Sequence, residues 1–395
     1  MIYTLQAPSI IQTKIHLPAS KSISNRVLIL NALSKSPYPI ENRSDSDDTM
    51  VLWKALQSSA SDFDIGAAGT SMRFLTAYLS QLPGEWTITG SERMQNRPIG
   101  LLVDALRQLG ADIEYIRKEG FPPLRIRGKK LPGGTVALNG GVSSQYISAL
   151  LMIAPCLEHG LILHLEGNII SKPYIQMTLG LMETFGVKAR WEDSVIDLRP
   201  QSYRPVPFRV ESDWSAASYW YEIRALAPEN SQIELIGLEE NSLQGDAKVA
   251  ELFSYLPPAL STGGGVRHDF TNEPDLAQTL VVTCCLLNIP FRFTGLQSLR
   301  IKETDRLTSL QTELRKLGYV IIEEVDSILE WSGEHCAPEP HPVIATYDDH
   351  RMAMAFAPVS LKTGEIRIAH PEVVSKSYPH YWDDLATAGW KITCG

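Results

Sequence analysis

Cysteine is scarce in this chain and poorly placed for disulfides. Only five occur, an odd number, with none before Cys156, and Cys284 and Cys285 are neighbours inside the apolar run Leu280 to Leu287. Such a set forms no disulfide framework, and the adjacent pair reads as two small buried hydrophobes. Metal-ligand spacing is missing too, since His341, His350 and Cys336 are too loosely arranged to form a site. No glycine-rich dinucleotide motif is present either, so neither a metal nor an organic cofactor is expected. Long apolar runs are absent: no window reaches the roughly 18 uninterrupted apolar residues of a transmembrane helix. The opening MIYTLQAPSIIQTKIHLPASK lacks a basic segment followed by an apolar one, and a cytoplasmic protein is expected. Positive charge is not in excess. With 36 Lys and Arg against 45 Asp and Glu, the net charge of −9 argues against a nucleic-acid or anionic-membrane surface. Any anion chemistry must therefore be local.

What the chain does have is length, and one unusual heptapeptide. Its 395 residues, 44% of them hydrophobic, can bury a full core. At roughly 100 to 200 residues per domain, two domains are expected. SKSISNR at residues 20 to 26 runs straight into the apolar segment Val27 to Leu33. That is the layout of an anion site at the start of a buried helix, where free N–H groups and the helix dipole already favour phosphate. Lys21, Ser22 and Arg26 would add donors, with Ser22 and Arg26 on one helical face. The plainer reading is a serine-rich cap with two solvated cations.

The chain also looks repetitive. Leu102, Leu106 and Leu109 precede Gly110, and Leu310, Leu314 and Leu317 precede Gly318 at the same offsets. Weaker copies end at Gly186 and Gly389. Each reads as an amphipathic helix stopped by a glycine and followed by a short strand, such as Ala111 to Ile116 or Tyr319 to Ile322. The glycine intervals, 186 − 110 = 76, 318 − 186 = 132 and 389 − 318 = 71, fit about six units of roughly 65 to 75 residues. Ahead of these helices stand Arg97-Pro98, Lys172-Pro173 and the run RIKETDR at 300 to 306, so cations gather at helix N-termini. Convergence of those termini would give an acidic protein an electropositive site for a substrate bearing phosphates and carboxylates.

Taken in order, nine segments carry a resemblance over nearly the whole chain. They are LPASKSISNR (17–26), AGTSMRFL (68–75), RMQNRPI (93–99), SSQYISALLM (143–152), SKPYIQMTL (171–179), PDLAQT (274–279), RIKETDRL (300–307), DDHRMAMAF (348–356) and SKSYPHYW (375–382). The chain resembles the enolpyruvyl transferases, on the branch whose acceptor is 3-phosphoshikimate. The resemblance implies an α/β fold, a two-domain inverse α/β barrel with three repeated units per domain and the active site in the interdomain cleft. One domain would span 21–211, the other 1–20 and 212–395, with hinge crossings near 20 and 212.

The implied reaction transfers the carboxyvinyl group of phosphoenolpyruvate to the 5-hydroxyl of 3-phosphoshikimate, in a monomer with small-molecule partners only. By matching positions, Lys21, Ser22, Arg26, Ser143, Ser144, Gln145, Ser171, Tyr174, Asp275, Ser298 and Lys302 would hold 3-phosphoshikimate. Lys21, Gly69, Arg97, Arg306, Arg351 and Lys376 would hold phosphoenolpyruvate, and glyphosate would compete there. Asp275 and Glu303 are the implied acid/base pair, with Lys21 and His350 also catalytic. Four positions depart from the family pattern: Ala67, Phe74, Ser298 and Asp348 stand where Asn, Pro, Asn and Asn are usual. One rival is the same transfer to UDP-N-acetylglucosamine, whose enzymes usually carry a reactive cysteine in their first half. Another is a non-catalytic paralogue, which the joint retention of Lys21, Arg97, Asp275, Glu303, Arg306, Arg351 and Lys376 disfavours.

Overall fold

The computed structural model of the chain describes residues 1–256, 265–325 and 327–395. They form two compact units, Ala19–Glu211 on the one hand and Met1–Pro18 with Ser212–Gly395 on the other. The first crossing thus falls between Pro18 and Ala19, slightly earlier than the motif at residue 20 suggests. Each crossing is tied down by backbone bonds within its unit. Ser20 N donates to Glu211 O and Asp213 N to Pro18 O, both at 2.8 Å.

Among the described residues each unit holds three sheets, two of four strands and one of two. In Ala19–Glu211 the spatial orders are Asp62–Asp64, Gly84–Thr89, Leu124–Gly128, Asp112–Tyr115 and then Gly134–Asn139, Leu161–Glu166, Val195–Leu198, Arg190–Glu192, beside the pair Ile40–Glu41 and Phe208–Arg209. The other unit has Val266–Asp269, Phe291–Thr294, Ile328–Trp331, Ile322–Glu324 and Val343–Ile344, Glu365–Ala369, Ile2–Gln6, Lys391–Cys394, beside the pair Gln12–His16 and Gln232–Ile236. All four larger sheets share one pattern: the first two strands are parallel and the remaining pairings antiparallel. In the last of them the strand Ile2–Gln6 takes the place that a later strand fills in the other three. Six repeats result, two of them reduced to a strand pair. One strand of each reduced pair, Phe208–Arg209 and Gln232–Ile236, falls between Gly186 and Gly318, where the interval is doubled.

The repeat glycines behave as helix stops. Gly110, Gly186, Gly318 and Gly389 have φ between 85° and 105°, a conformation that a Cβ disfavours. The strand expected at Tyr319 to Ile322 is Ile322–Glu324 instead. Tyr319 forms only an isolated bridge to His335, and Val320 N donates to Glu334 O, so the chain is extended there without a regular ladder.

Burial is reversed from the common α/β plan. All ten residues of the helix Ala277–Leu286 are buried, as are all seven of His350–Phe356 and eight of ten in Ser144–Ile153. The strands instead alternate, as in Leu124–Gly128 and Leu161–Glu166, with one face outward. Helices therefore form the inside and sheets the covering layer. Helices Lys21–Leu33, Gly69–Ser80, Ser144–Ile153 and Lys172–Thr184 pack together in one unit; Trp214–Leu226, Ala277–Leu286 and His350–Phe356 do so in the other. Each fully buried Leu, Ile or Val in such a bundle contributes about 1.5 to 3 kcal/mol. Cys284 and Cys285 are buried members of that core, as their setting suggests. Among the described residues no helix is long and apolar enough to cross a membrane.

Candidate functional site

A helix enclosed on all sides can meet polar partners only at its ends, where four N–H groups lack intrahelical acceptors. The sequence-predicted residues lie at such ends in both units. In Ala19–Glu211, Ser20 caps Lys21–Leu33 by accepting from Ile23 N, so Lys21 and Ser22 occupy its first turn. Gly69 is the first residue of Gly69–Ser80, Ser143 caps Ser144–Ile153 and Ser171, at φ 53°, precedes Lys172–Thr184. These ends touch one another. Lys21 Nζ lies 3.6 Å from Asp48 Oδ2, at the start of Asp47–Gln57. Gln145 Nε2 donates to Thr70 Oγ1 at 3.2 Å.

Gly69 is hemmed in by two guanidinium groups. A methyl built there would sit 2.7 Å from Arg97 Nη1 and 2.8 Å from Arg73 Nη1. Arg73, which donates to Gly69 O at 2.8 Å and lies 5.4 Å from the Tyr146 ring centre, was not singled out by the sequence reading. Its motif was, and an arginine one turn into a buried helix is the signal it offered. Arg26 is only 3% exposed, and burial lowers its pKa to about 10. Its Nε donates to Thr178 Oγ1 at 2.7 Å, Nη1 to Ser22 O at 2.9 Å, and Nη2 to Ser148 Oγ at 3.0 Å and Tyr174 O at 3.4 Å.

The second unit gathers its residues around Arg306, which is 1% exposed. Arg306 Nη1 donates to Asp275 Oδ1 and Nη2 to Glu303 Oε2, both at 3.0 Å, while Nε reaches Asp349 Oδ2 at 2.7 Å. Glu303 Oε1 accepts from Lys376 Nζ at 2.9 Å. Asp275 also lies 3.5 Å from Lys302 Nζ and 3.2 Å from Arg351 Nη2. Four cations thus surround three carboxylates, leaving a net single positive charge. Burial alone would raise the Asp275 carboxyl, but Arg351, Lys302 and Arg306 together hold it well below the usual carboxylate range. His350 opens the helix His350–Phe356 and its Nδ1 is 3.8 Å from Asp349 Oδ1. Ser298 lies in the short helix Gln297–Ile301, outside this ion-pair network.

Asp349 and Asp246, like Arg73, are groups that sequence reasoning missed. Asp349 is fully buried, caps His350–Phe356 by accepting from Arg351 N at 2.9 Å and holds Arg306. Its signal was present, an Asp directly before a buried helix. Asp246 accepts a short bond from the Ser215 hydroxyl; burial, then the neighbouring Asp275 charge, push its carboxyl up to about 7. Nothing in its local sequence marks it.

A family model described as EPSP synthase (3-phosphoshikimate 1-carboxyvinyltransferase) matches residues 5–59 and 54–385. The chain belongs to the EPSP synthase family. A 3-phosphoshikimate 1-carboxyvinyltransferase of Bacteroides fragilis is 58% identical over 409 residues, covering 100% of both chains. One from Vibrio atlanticus is 36% identical over 422 residues, covering 97% of this chain and 98% of that one. The solved EPSP synthase of Acinetobacter baumannii superposes with a TM-score of 0.79 at 20% identity, with full coverage of both chains, and shows the shared fold. The two-domain α/β architecture implied by the nine motifs is thus the architecture of this chain.

Proposed function

We propose that this chain transfers the enolpyruvyl group of phosphoenolpyruvate to the 5-hydroxyl of 3-phosphoshikimate, releasing phosphate, within chorismate and aromatic amino-acid biosynthesis. The observation that carries this reading is the 58% identity, over its full length, to a relative of that name. The acceptor hydroxyl must lose a proton while the vinyl carbon gains one, giving a tetrahedral intermediate that expels phosphate. Two acid/base groups and a cationic cage are therefore required. Asp275 and Glu303 bond to different nitrogens of one guanidinium, and Asp275 is held ionised, the state that accepts a proton. An anionic substrate engaging Arg306 and Arg351 would draw their charge away from Asp275, raise its pKa and make it a stronger base.

In this reading Arg306, Arg351 and Lys376 bind phosphoenolpyruvate together with Lys21, Gly69 and Arg97. Lys302, Asp275 and Ser298 bind 3-phosphoshikimate together with Lys21, Ser22, Arg26, Ser143, Ser144, Gln145, Ser171 and Tyr174. His350 acts beside the departing phosphate. The net charge of −9 argues against nucleic-acid or anionic-membrane partners, and the reading as a cytoplasmic monomer rests on the family resemblance. The test is phosphate release from phosphoenolpyruvate with 3-phosphoshikimate, with UDP-N-acetylglucosamine and with no acceptor. Release with the first alone is expected; release with the second would move the chain to the other branch.

Gly69→Ala gives a sharper expectation. The added methyl meets the far ends of two flexible arginines rather than backbone, so the protein folds but Arg97 and Arg73 are displaced. The KM for phosphoenolpyruvate should rise, and the inhibition constant for the longer glyphosate should rise by a larger factor. Equal factors in a steady-state competition assay would remove Gly69 from the inhibitor contact.

A further inference from the structure

Arg26 is held by two linked hydroxyls, of which Thr178 has no spare hydrogen-bonding capacity. Thr178 Oγ1 donates to Tyr174 O at 2.8 Å and so accepts, on its lone pairs, from Arg26 Nε at 2.7 Å and from Ser148 Oγ at 2.8 Å. Ser148 Oγ in turn accepts from Arg26 Nη2 at 3.0 Å. With Nη1 donating to Ser22 O and Nη2 reaching Tyr174 O, four of the five guanidinium N–H bonds are engaged. The Phe74 ring centre, 5.6 Å from the guanidinium carbon, adds a second constraint. Each of these three residues comes from a different helix and lies one turn below a residue assigned above to 3-phosphoshikimate: Arg26 below Ser22, Ser148 below Ser144, Thr178 below Tyr174.

We propose that Thr178 and Ser148 are positioning residues, which lock the Arg26 guanidinium so that its one remaining N–H serves 3-phosphoshikimate, and which thereby set affinity for that substrate through Arg26. The proposal rests on the reading of Arg26 as a substrate contact. Both side chains are buried, so the lock is shielded from competing water. A mobile arginine would have to lose rotamer freedom on each binding event, whereas this one has lost it on folding.

Thr178→Val removes the hydroxyl at constant shape. It should raise the KM for 3-phosphoshikimate about tenfold, the scale of one hydrogen bond to a charged group. The KM for phosphoenolpyruvate and kcat should stay at their wild-type values, and Thr178→Ser, which restores the hydroxyl, should restore affinity. Ser148→Ala should act in the same direction and carries the comparison if Thr178→Val does not fold. An unchanged KM for 3-phosphoshikimate, an equal rise for both substrates, or a Thr178→Ser enzyme as impaired as Thr178→Val overturns the proposal. Arg26→Gln separates the two levels. If it raises that KM while the hydroxyl variants do not, positioning fails and the substrate contact stands; if it has no effect, both fall.

Discussion

Asp275→Asn and Glu303→Gln should each lower kcat by about 10² to 10⁴ fold, the usual contribution of a positioned acid or base. Both substitutions keep size and nearly keep hydrogen bonding, so Arg306 retains an oxygen acceptor on each side. They also delete one negative charge from a cluster where four cations already outnumber the carboxylates. Anion binding should therefore not suffer, and the KM for phosphoenolpyruvate should hold or fall as kcat drops. That opposite movement is what distinguishes lost proton transfer from a collapsed site. Steady-state phosphate release measures both quantities, and a near wild-type kcat in either variant would take that residue out of the chemistry.

Asp349→Ala should cost about 3 to 5 kcal/mol of stability, since it strands a buried guanidinium partner and removes a helix cap in one step. Arg306 would keep Asp275 and Glu303, both closer to solvent, but would lose the bond from Nε to a fully buried carboxylate. Arg351 N, in the first turn of His350–Phe356, would lose its side-chain acceptor as well. Asp349→Asn keeps an oxygen for the cap and should be milder. Urea unfolding of the three proteins checks this, and an Asp349→Ala midpoint equal to wild type would show that the pair contributes nothing net.

The fold was legible where the chain punctuates itself. Four glycines with positive φ closed the repeats at the expected places, and the polar run SKSISNR did open a buried helix. Of the cations at helix starts, Lys302 and Arg306 share Asp275 in one unit, whereas Lys172 in the other lies over the Trp191 ring, 5.0 Å from its centre. The missed residues share a different physics. Asp246, Thr178 and Ser148 act through partners distant in sequence, such as Ser215 for Asp246 and Arg26 for the other two, and a single sequence does not show which helices will be neighbours. Asp348, unusual for its family, sits at φ 55° directly after Tyr347 at 54°. Asp tolerates that left-handed conformation nearly as well as Asn, which gives this departure a structural reading.

The strand Ile2–Gln6 has its neighbours at the other end of the chain: Leu5 pairs with Ile366 on one side and Ile392 on the other. A ribosome therefore makes this strand before residues 19–211 and its two partners after them. In between, the contiguous stretch Ala19–Glu211 emerges whole and holds every strand its own sheets need. The early strand spends that interval with unpaired N–H and C=O groups on both edges, the condition in which strands pair with the wrong neighbour. The order of synthesis thus leaves Ile2–Gln6 waiting for its neighbours until after every strand of Ala19–Glu211 has been made.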